Sequence, residues 1–184
     1  MNTHDAVSTA EAPPHLSDEL LRRFDTPGPR YTSYPTADRF VEAFGANEVC
    51  AALRHRAQAG ASGAQAPLSV YVHIPFCESV CYYCACNKVI TKHHDRAAEY
   101  LDALDLEIDQ VFDRLGNTAR VSQLHFGGGS PTFLSDDELQ RVVASLRRRL
   151  SFDEGTEVSI EVDPRTVSAA RLAHCRKLGF NRIS

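Results

Sequence analysis

The sequence predicts an α/β protein: a partial parallel (β/α) barrel of three to four βα units behind an N-terminal extension. Three observations carry this. From Leu68 onward, short β-rich runs alternate with amphipathic helical stretches, the order that builds a parallel sheet with right-handed crossovers. The first three β-rich runs end in a cysteine cluster, a glycine run and an acidic segment, and parallel barrels carry their active groups at the C-terminal ends of strands. The chain then stops as a fourth run begins. A closed eightfold barrel needs about 250 residues, so the chain is expected to be the N-terminal part of a longer protein. Alone it would be a poor catalyst with an open sheet edge.

The elements follow in order. Residues 1–28 read as an extension. Its first part, 1–15, is rich in Ala, Thr, Glu and Pro and is expected to be disordered, whereas 17–24 forms a short helix capped by Ser17. Residues 29–67 form a second segment. Across its start, Pro27, Pro29 and Pro35 exclude regular helix over 27–36 and favour an extended strip; 47–59 is a helix and 60–67 a flexible linker. Residues 68–184 hold the barrel portion. Strand 69–76 leads into the cysteines. Helix 95–115 presents Leu101, Leu104, Ile108, Val111 and Leu115 as one stripe. Strand 121–126 runs into Gly127, Gly128 and Gly129. Ser135 and Glu138 form a capping box for a helix carrying Leu139, Val142, Val143, Leu146 and Leu150. Strand 157–162 follows, then helix 168–178 ended by Gly179 as its C′ residue, then the start of a strand at 180–184.

Composition excludes several classes. A net charge of −4 argues against a general nucleic-acid binder, which is normally basic. Arg147, Arg148 and Arg149 form a basic run and read as solvated surface at a helix end. No run approaches the ~18 apolar residues of a membrane helix. Residues 1–10 show neither the basic region nor the apolar stretch of a secretory signal. A cytoplasmic, membrane-free protein is therefore expected. Cys50 and Cys175 lie in helical stretches and read as small apolar core residues.

The remaining cysteines, Cys77, Cys81, Cys84 and Cys86, fall within ten residues. In a reducing compartment, clustered thiols favour metal over disulfide. Zinc sites usually pair two ligand couples across a long spacer, and no second couple follows here. Three thiols at x3 then x2 spacing suit one face of an iron–sulfur cube, leaving one iron open for a substrate or cofactor. Cys86 follows Cys84 too closely to close the same cube. A zinc-stabilised, non-catalytic module stays open as the alternative.

Other candidates surround the cluster. The glycine run ends a strand and precedes a turn, so a ligand could lie against bare backbone there; a plain tight turn is the competing reading. Glu161 sits where an inward carboxylate could hold a hydroxyl or amine, although its alternation with apolar neighbours also fits an outward surface residue. For Tyr71 ordinary strand packing competes with a role as an aromatic plane beside a flat ring; Tyr83 shares the latter reading. His73 and His125 read as core or supporting residues.

Cys77-x3-Cys81-x2-Cys84 resembles the signature of the radical S-adenosylmethionine (SAM) enzymes, and the run from Gly127 to Thr132 resembles their glycine motif. Together with the segment around Arg30 to Pro35, the run leading into Cys77, Cys86 with Asn87 and Lys88, and the stretch from Ser159 to Pro164, the chain resembles the oxygen-independent coproporphyrinogen III oxidase family. The likeness runs from about Pro29 to Ser184, with Ser130 where Thr is usual and Tyr83 where Phe is common. It implies a [4Fe–4S] cluster on Cys77, Cys81 and Cys84, with Cys86 a nearby thiol outside the ligand set. It implies two SAM molecules, one contacting Tyr71, Gly128 and Glu161, the other Tyr83, Gly129 and Ser130. Reduction of SAM by the cluster would give methionine and a 5′-deoxyadenosyl radical. That radical would take hydrogen from propionate side chains of coproporphyrinogen III; loss of carbon dioxide and an electron at each of two sites would give protoporphyrinogen IX. An unidentified electron donor and a monomeric full-length protein are further expectations. A haem chaperone of the same superfamily is the alternative, but it usually has an aromatic residue at the Cys86 position and lacks the segment from Arg30 to Pro35.

Overall fold

The computed structural model describes residues 17–25, 39–60, 66–80, 84, 86–116 and 119–184. The chain divides into two compact units, Met1–Ala43 and Phe44–Ser184. In the first, helix α1 (Asp18–Phe24) starts at Ser17, whose hydroxyl accepts the Leu20 N–H at 3.3 Å. The proline-rich strip at 27–36 and most of the 60–67 linker lie outside the described residues.

The second unit contains helices α2 (Ala46–Gly60), α3 (Arg96–Leu115), α4 (Asp136–Arg147) and α5 (Ala169–Leu178). Its strands are β1 (Leu68–Ile74), β2 (Phe76–Cys77), β3 (Val89–Ile90), β4 (Ala119–Gly128), β5 (Leu150–Ile160) and β6 (Arg182–Ile183). The main sheet has the order β1-β4-β5-β6, with every pair parallel. Its consecutive strands lie side by side, the winding of a barrel; a doubly wound sheet would reverse order at a switch point. The expected partial parallel barrel is what the chain forms. Among the described residues, no helix is long and apolar enough to cross a membrane.

Period-two alternation divides the sheet into two chemically different faces. Val72, Ile74, Leu124, Phe126, Val158 and Ile160 are buried in the hydrophobic core, together with Leu101, Ile108, Phe112 and Leu115 of α3 and Leu139, Val142, Val143 and Leu146 of α4. The opposite face carries polar residues in register: Tyr71 beside His125 beside Ser159, and one level up His73 beside Gly127. Phe126 is fully buried and meets Phe180 edge-on at 5.2 Å. Phe126→Ala is expected to cost about 3–5 kcal/mol of stability, whereas Tyr71→Ala, at a half-exposed site on the other face, should cost less than about 1 kcal/mol. Urea denaturation of both variants measures the contrast; equal losses would mean that the core does not sit on one side of the sheet.

Several local expectations change. Leu150 was expected on the α4 helix, but that helix ends at Arg147 and Leu150 opens β5. Strand β5 is longer than the expected 157–162 at its start because it carries an irregular insert at Asp153, Glu154 and Gly155. Thr156 absorbs the insert: its hydroxyl accepts the Asp153 N–H and donates to the Val121 carbonyl, both at 3.0 Å. The basic run at 147–149 is not idle surface. Arg149 pairs with Asp109 at 2.7 Å and Asp113 at 3.2 Å, Arg147 lies 5.0 Å above the Phe152 ring, and Arg148 donates to Ser145. Arg141 of α4, on Asp102 and Asp105, and Arg149, just past the end of α4, tie this helix to α3. In α3 the stripe centres on Phe112 more than expected, with Leu104 and Val111 only partly buried. The short β2–β3 ribbon was not expected at all.

Site positioning depends on three features. Ser135 caps α4 in a complete capping box with Glu138, which ends the turn after the glycine run. Gly179 takes φ +99° at the end of α5, the left-handed turn that glycine adopts at least cost. Asn181 then docks β6: its side chain accepts the Val158 N–H and donates to the Thr156 carbonyl, both at 2.8 Å.

Candidate cofactor site

The site lies at the C-terminal ends of β1, β4 and β5. Pro75 interrupts β1, and the chain continues as β2 to Cys77. The return strand β3 secures this corner. Val89 N–H donates to the Pro75 carbonyl at 2.7 Å and Thr91 N–H to the Cys77 carbonyl at 2.9 Å. Lys88 donates to the Cys84 and Cys86 carbonyls at 3.2 and 3.4 Å, holding the second half of the cysteine loop. Cys81 and Tyr83 lie outside the described residues.

The glycine run is stitched to that corner. Gly129 N–H donates to the Ile74 carbonyl at 2.7 Å, and Ser130 N–H to the Phe76 carbonyl at 2.8 Å. Gly128 has φ +112°, and a Cβ there would fall 2.7 Å from the His73 ring. A Cβ on Gly129 would fall 2.7 Å from the Phe76 carbonyl oxygen and 2.9 Å from Cys77 Sγ. The run is therefore glycine because a thiol loop and a strand end meet at it, beyond what a plain turn requires. Ser130 precedes a 3-10 turn at Pro131–Phe133, and Phe133 stacks on Phe76 at 5.1 Å.

Glu161 follows the last residue of β5. It shares the face of Tyr71 and His125, opposite fully buried Ile160. One carboxylate oxygen accepts the Gly128 N–H at 3.1 Å and the other accepts from His125 Nε2 at 3.3 Å. The inward reading of this residue is the observed one. Tyr71 stacks on His125 with centroids 5.7 Å apart. Partial burial, with the negative charge of Glu161, pushes the Tyr71 phenol up, so it stays a protonated donor. Its hydroxyl meets His73 Nδ1 at 3.1 Å, and His73 Nε2 donates to the Asn87 carbonyl at 2.8 Å. Two residues on, Arg165 chelates Asp163 and pulls its carboxyl down to about 2, which fixes the turn after Glu161.

The two described thiols of the second half differ in character. A hydrogen bond from the Cys86 backbone holds the Cys84 thiol below its ordinary range, whereas the side-chain bond to Cys84 pushes Cys86 up. The thiolate, the metal-binding form, is therefore favoured more at Cys84 than at Cys86. Cys77, Gly129, Ser130, Glu161 and Asp163 border a common cleft of about 890 Å³. Sequence reasoning overlooked Ser159 and Lys88, and undervalued His125. Alternation put Ser159 and His125 on a candidate face, but only strand register shows what each one meets; Lys88 lies in the loop before β3, and only the fold of that loop brings it to the cysteine carbonyls.

A parallel half-barrel with a thiol loop, a glycine turn and an inward carboxylate at one rim is the architecture of a radical SAM protein, and the model of the radical SAM superfamily matches residues 71–184. The oxygen-independent coproporphyrinogen III oxidase of Pseudomonas aeruginosa is 49% identical over 168 residues, covering 90% of this chain and 35% of that protein. That of Escherichia coli is 45% identical, covering 90% and 34%. A shorter relative of the same name, from Mannheimia haemolytica, is 43% identical over 147 residues, covering 79% of this chain and 94% of its own length. The solved E. coli coproporphyrinogen III oxidase, described as a radical SAM enzyme, superimposes with a TM-score of 0.73 at 42% identity, covering 90% of this chain and 35% of that one. The chain belongs to the oxygen-independent coproporphyrinogen III oxidase family of the radical SAM superfamily. It spans about a third of the length of the Pseudomonas and Escherichia relatives.

Proposed function

We propose that this chain is the cluster- and SAM-binding part of a cytoplasmic enzyme that oxidatively decarboxylates two propionate side chains of coproporphyrinogen III to vinyl groups, giving protoporphyrinogen IX. The observation that carries the reading is the convergence of the cysteine loop, the glycine turn and Glu161 on one cleft at the strand ends. The names of the relatives supply the substrate.

The residues present fit the cofactors. Cys77, Cys81 and Cys84 would hold a [4Fe–4S] cluster. The lowered Cys84 thiol and the bare Gly129 backbone against Cys77 Sγ suit a ligand loop that must wrap a compact inorganic group. Tyr71, Gly128 and Glu161 would contact a first SAM, and Tyr83, Gly129 and Ser130 a second. When bound, the cluster and SAM supply one-electron cleavage of a sulfonium and the hydrogen-atom abstraction that follows, with the electron coming from a donor yet to be identified. The chain's own part is positioning. Glu161 accepts hydrogen bonds on two anchored oxygens. Gly128 gives its amide to the Glu161 carboxylate and spares the His73 ring the Cβ that would strike it. Tyr71, still protonated, is 56% exposed as a residue and offers the ring face that His125 does not cover. Lys88 holds the Cys84 and Cys86 carbonyls of the loop.

Anaerobic purification followed by reconstitution with iron and sulfide tests the reading. The expected result is about four irons and four sulfides per chain, as a cubane cluster requires, with binding of SAM. One zinc and no iron would overturn it in favour of a zinc-stabilised module.

A further inference from the structure

We propose that His125 is a positioning residue: through Nε2 it fixes the Glu161 carboxylate for the hydrogen-bond donors of SAM, and Ser159 in turn fixes His125. This rests on the cofactor reading above.

Glu161 needs such a support. It lies just past β5 with its side chain 45% exposed, where a flexible carboxylate would sample many rotamers. Two contacts hold it, one on each oxygen: the Gly128 amide at 3.1 Å and His125 Nε2 at 3.3 Å. A carboxylate oxygen has two acceptor directions, so each anchored oxygen keeps one for a ligand. The ring of His125 is itself held at three points. In the neutral imidazole the carboxylate retains the proton on Nε2, so Nδ1 is an acceptor. Ser159 Oγ lies 2.6 Å from Nδ1, and its hydroxyl supplies the proton. Ser159 is buried, at 4% exposure, so its rotamer is confined. Tyr71 covers one ring face at an interplanar angle of 22°. The register makes this possible, because Tyr71, His125 and Ser159 are direct neighbours across three strands.

Gly127 supplies a separate observation. A Cβ at that position would fall 3.0 Å from His125 Nε2 and 3.0 Å from the Glu161 carboxyl group. The first glycine of the run thus leaves open the space in which the imidazole and the carboxylate meet. The order Ser159, His125, Glu161 also resembles the hydrogen-bond chain of a hydrolase. Burial of Ser159 rules that out, since its oxygen faces the imidazole inside the sheet and a nucleophile must reach a substrate.

Substitutions of His125 separate its atoms. Gln places an amide nitrogen near the Nε2 position, Asn reaches only the Nδ1 position, and Phe keeps the ring without a donor. The cluster-loaded full chain is mixed anaerobically with labelled SAM, without substrate or turnover, and the dissociation constant is read by equilibrium dialysis at matched iron content. His125→Gln is expected to stay within about threefold of the unsubstituted chain. His125→Asn and His125→Phe are expected to weaken binding about tenfold or more, the loss of a hydrogen bond to a charged group. Equal affinity in all four proteins overturns the proposal, as does equal weakening by Gln, Asn and Phe, which would make the imidazole a packing element only. If the unsubstituted chain holds its cluster but binds no SAM, the cofactor reading itself is overturned, and this proposal with it. A second measurement needs no cofactor. Long-range proton–nitrogen correlation on the metal-free full chain is expected to show His125 protonated on Nε2; protonation on Nδ1 alone overturns the proposal.

Discussion

Replacing Cys77, Cys81 or Cys84 by alanine is expected to abolish the visible iron–sulfur absorption of the reconstituted chain, whereas Cys86→Ala should keep it. The argument is one of reach and of chemistry. Cys86 follows Cys84 by two residues, too few for both to bind distant corners of one cube. The structure adds a difference in character: Cys84 accepts hydrogen bonds that favour its thiolate, while Cys86 is pushed up by its bond to Cys84 and lies exposed. A thiol that donates to a ligand sulfur supports the ligand and need not be one. Absorption spectra and iron content of the four variants check this. Loss of the cluster in Cys86→Ala together with its retention in Cys84→Ala would exchange the two roles.

Gly129→Ala is expected to have the next largest effect, reducing iron incorporation severalfold and destabilising the chain by about 1–3 kcal/mol, the usual result of overpacking. The new Cβ would stand 2.7 Å from the Phe76 carbonyl oxygen and 2.9 Å from both Pro75 C and Cys77 Sγ. Two of these three atoms are backbone, so no rotamer change relieves the clash. The amide of Gly129 is also tied to Ile74, so the glycine cannot retreat without breaking the seam between the glycine turn and the cysteine corner. Gly155→Ala is the matched control, since a Cβ there meets nothing within 4 Å, and it should stay within about 0.5 kcal/mol. Iron analysis and urea denaturation of both variants decide; normal cluster loading in Gly129→Ala would mean that the corner is more pliable than its contacts indicate.

Much of the architecture was legible in the sequence because it rests on local rules. Ser17, Ser135 with Glu138, and Gly179 mark helix ends through caps that involve only near neighbours, and each cap is observed. Alternation put Ile160 and Glu161 on opposite faces. What was not legible depended on pairing. Nothing near Val89 announces that it returns to pair with Phe76. The insert in β5 hides behind Asp153, Glu154 and Gly155, residues that look like a turn until Thr156 is seen bonded to Val121. Arg149 reads as a solvated cation until α3 brings Asp109 and Asp113 to it. At the site, the thiol spacing was explicit, whereas the link from Ser159 through His125 to Glu161 joins residues more than thirty positions apart and follows from register alone.

The division of the sheet into an apolar face beneath the helices and a polar face toward the cleft has a consequence for how such a protein can change. Neighbouring residues along one strand answer to different selective demands. Phe126 and Ile160 are constrained by packing, and His125 and Glu161 by chemistry, yet His125 is the immediate neighbour of Phe126 and Glu161 that of Ile160. Substitutions on the polar face can therefore alter ligand preference while the fold stays intact, and substitutions on the apolar face can tune stability without altering the ligand. Variation in a lineage of such chains should follow a two-residue rhythm, with new specificities arising at odd-numbered positions of β1, β4 and β5 near their C-terminal ends while the even-numbered positions stay apolar.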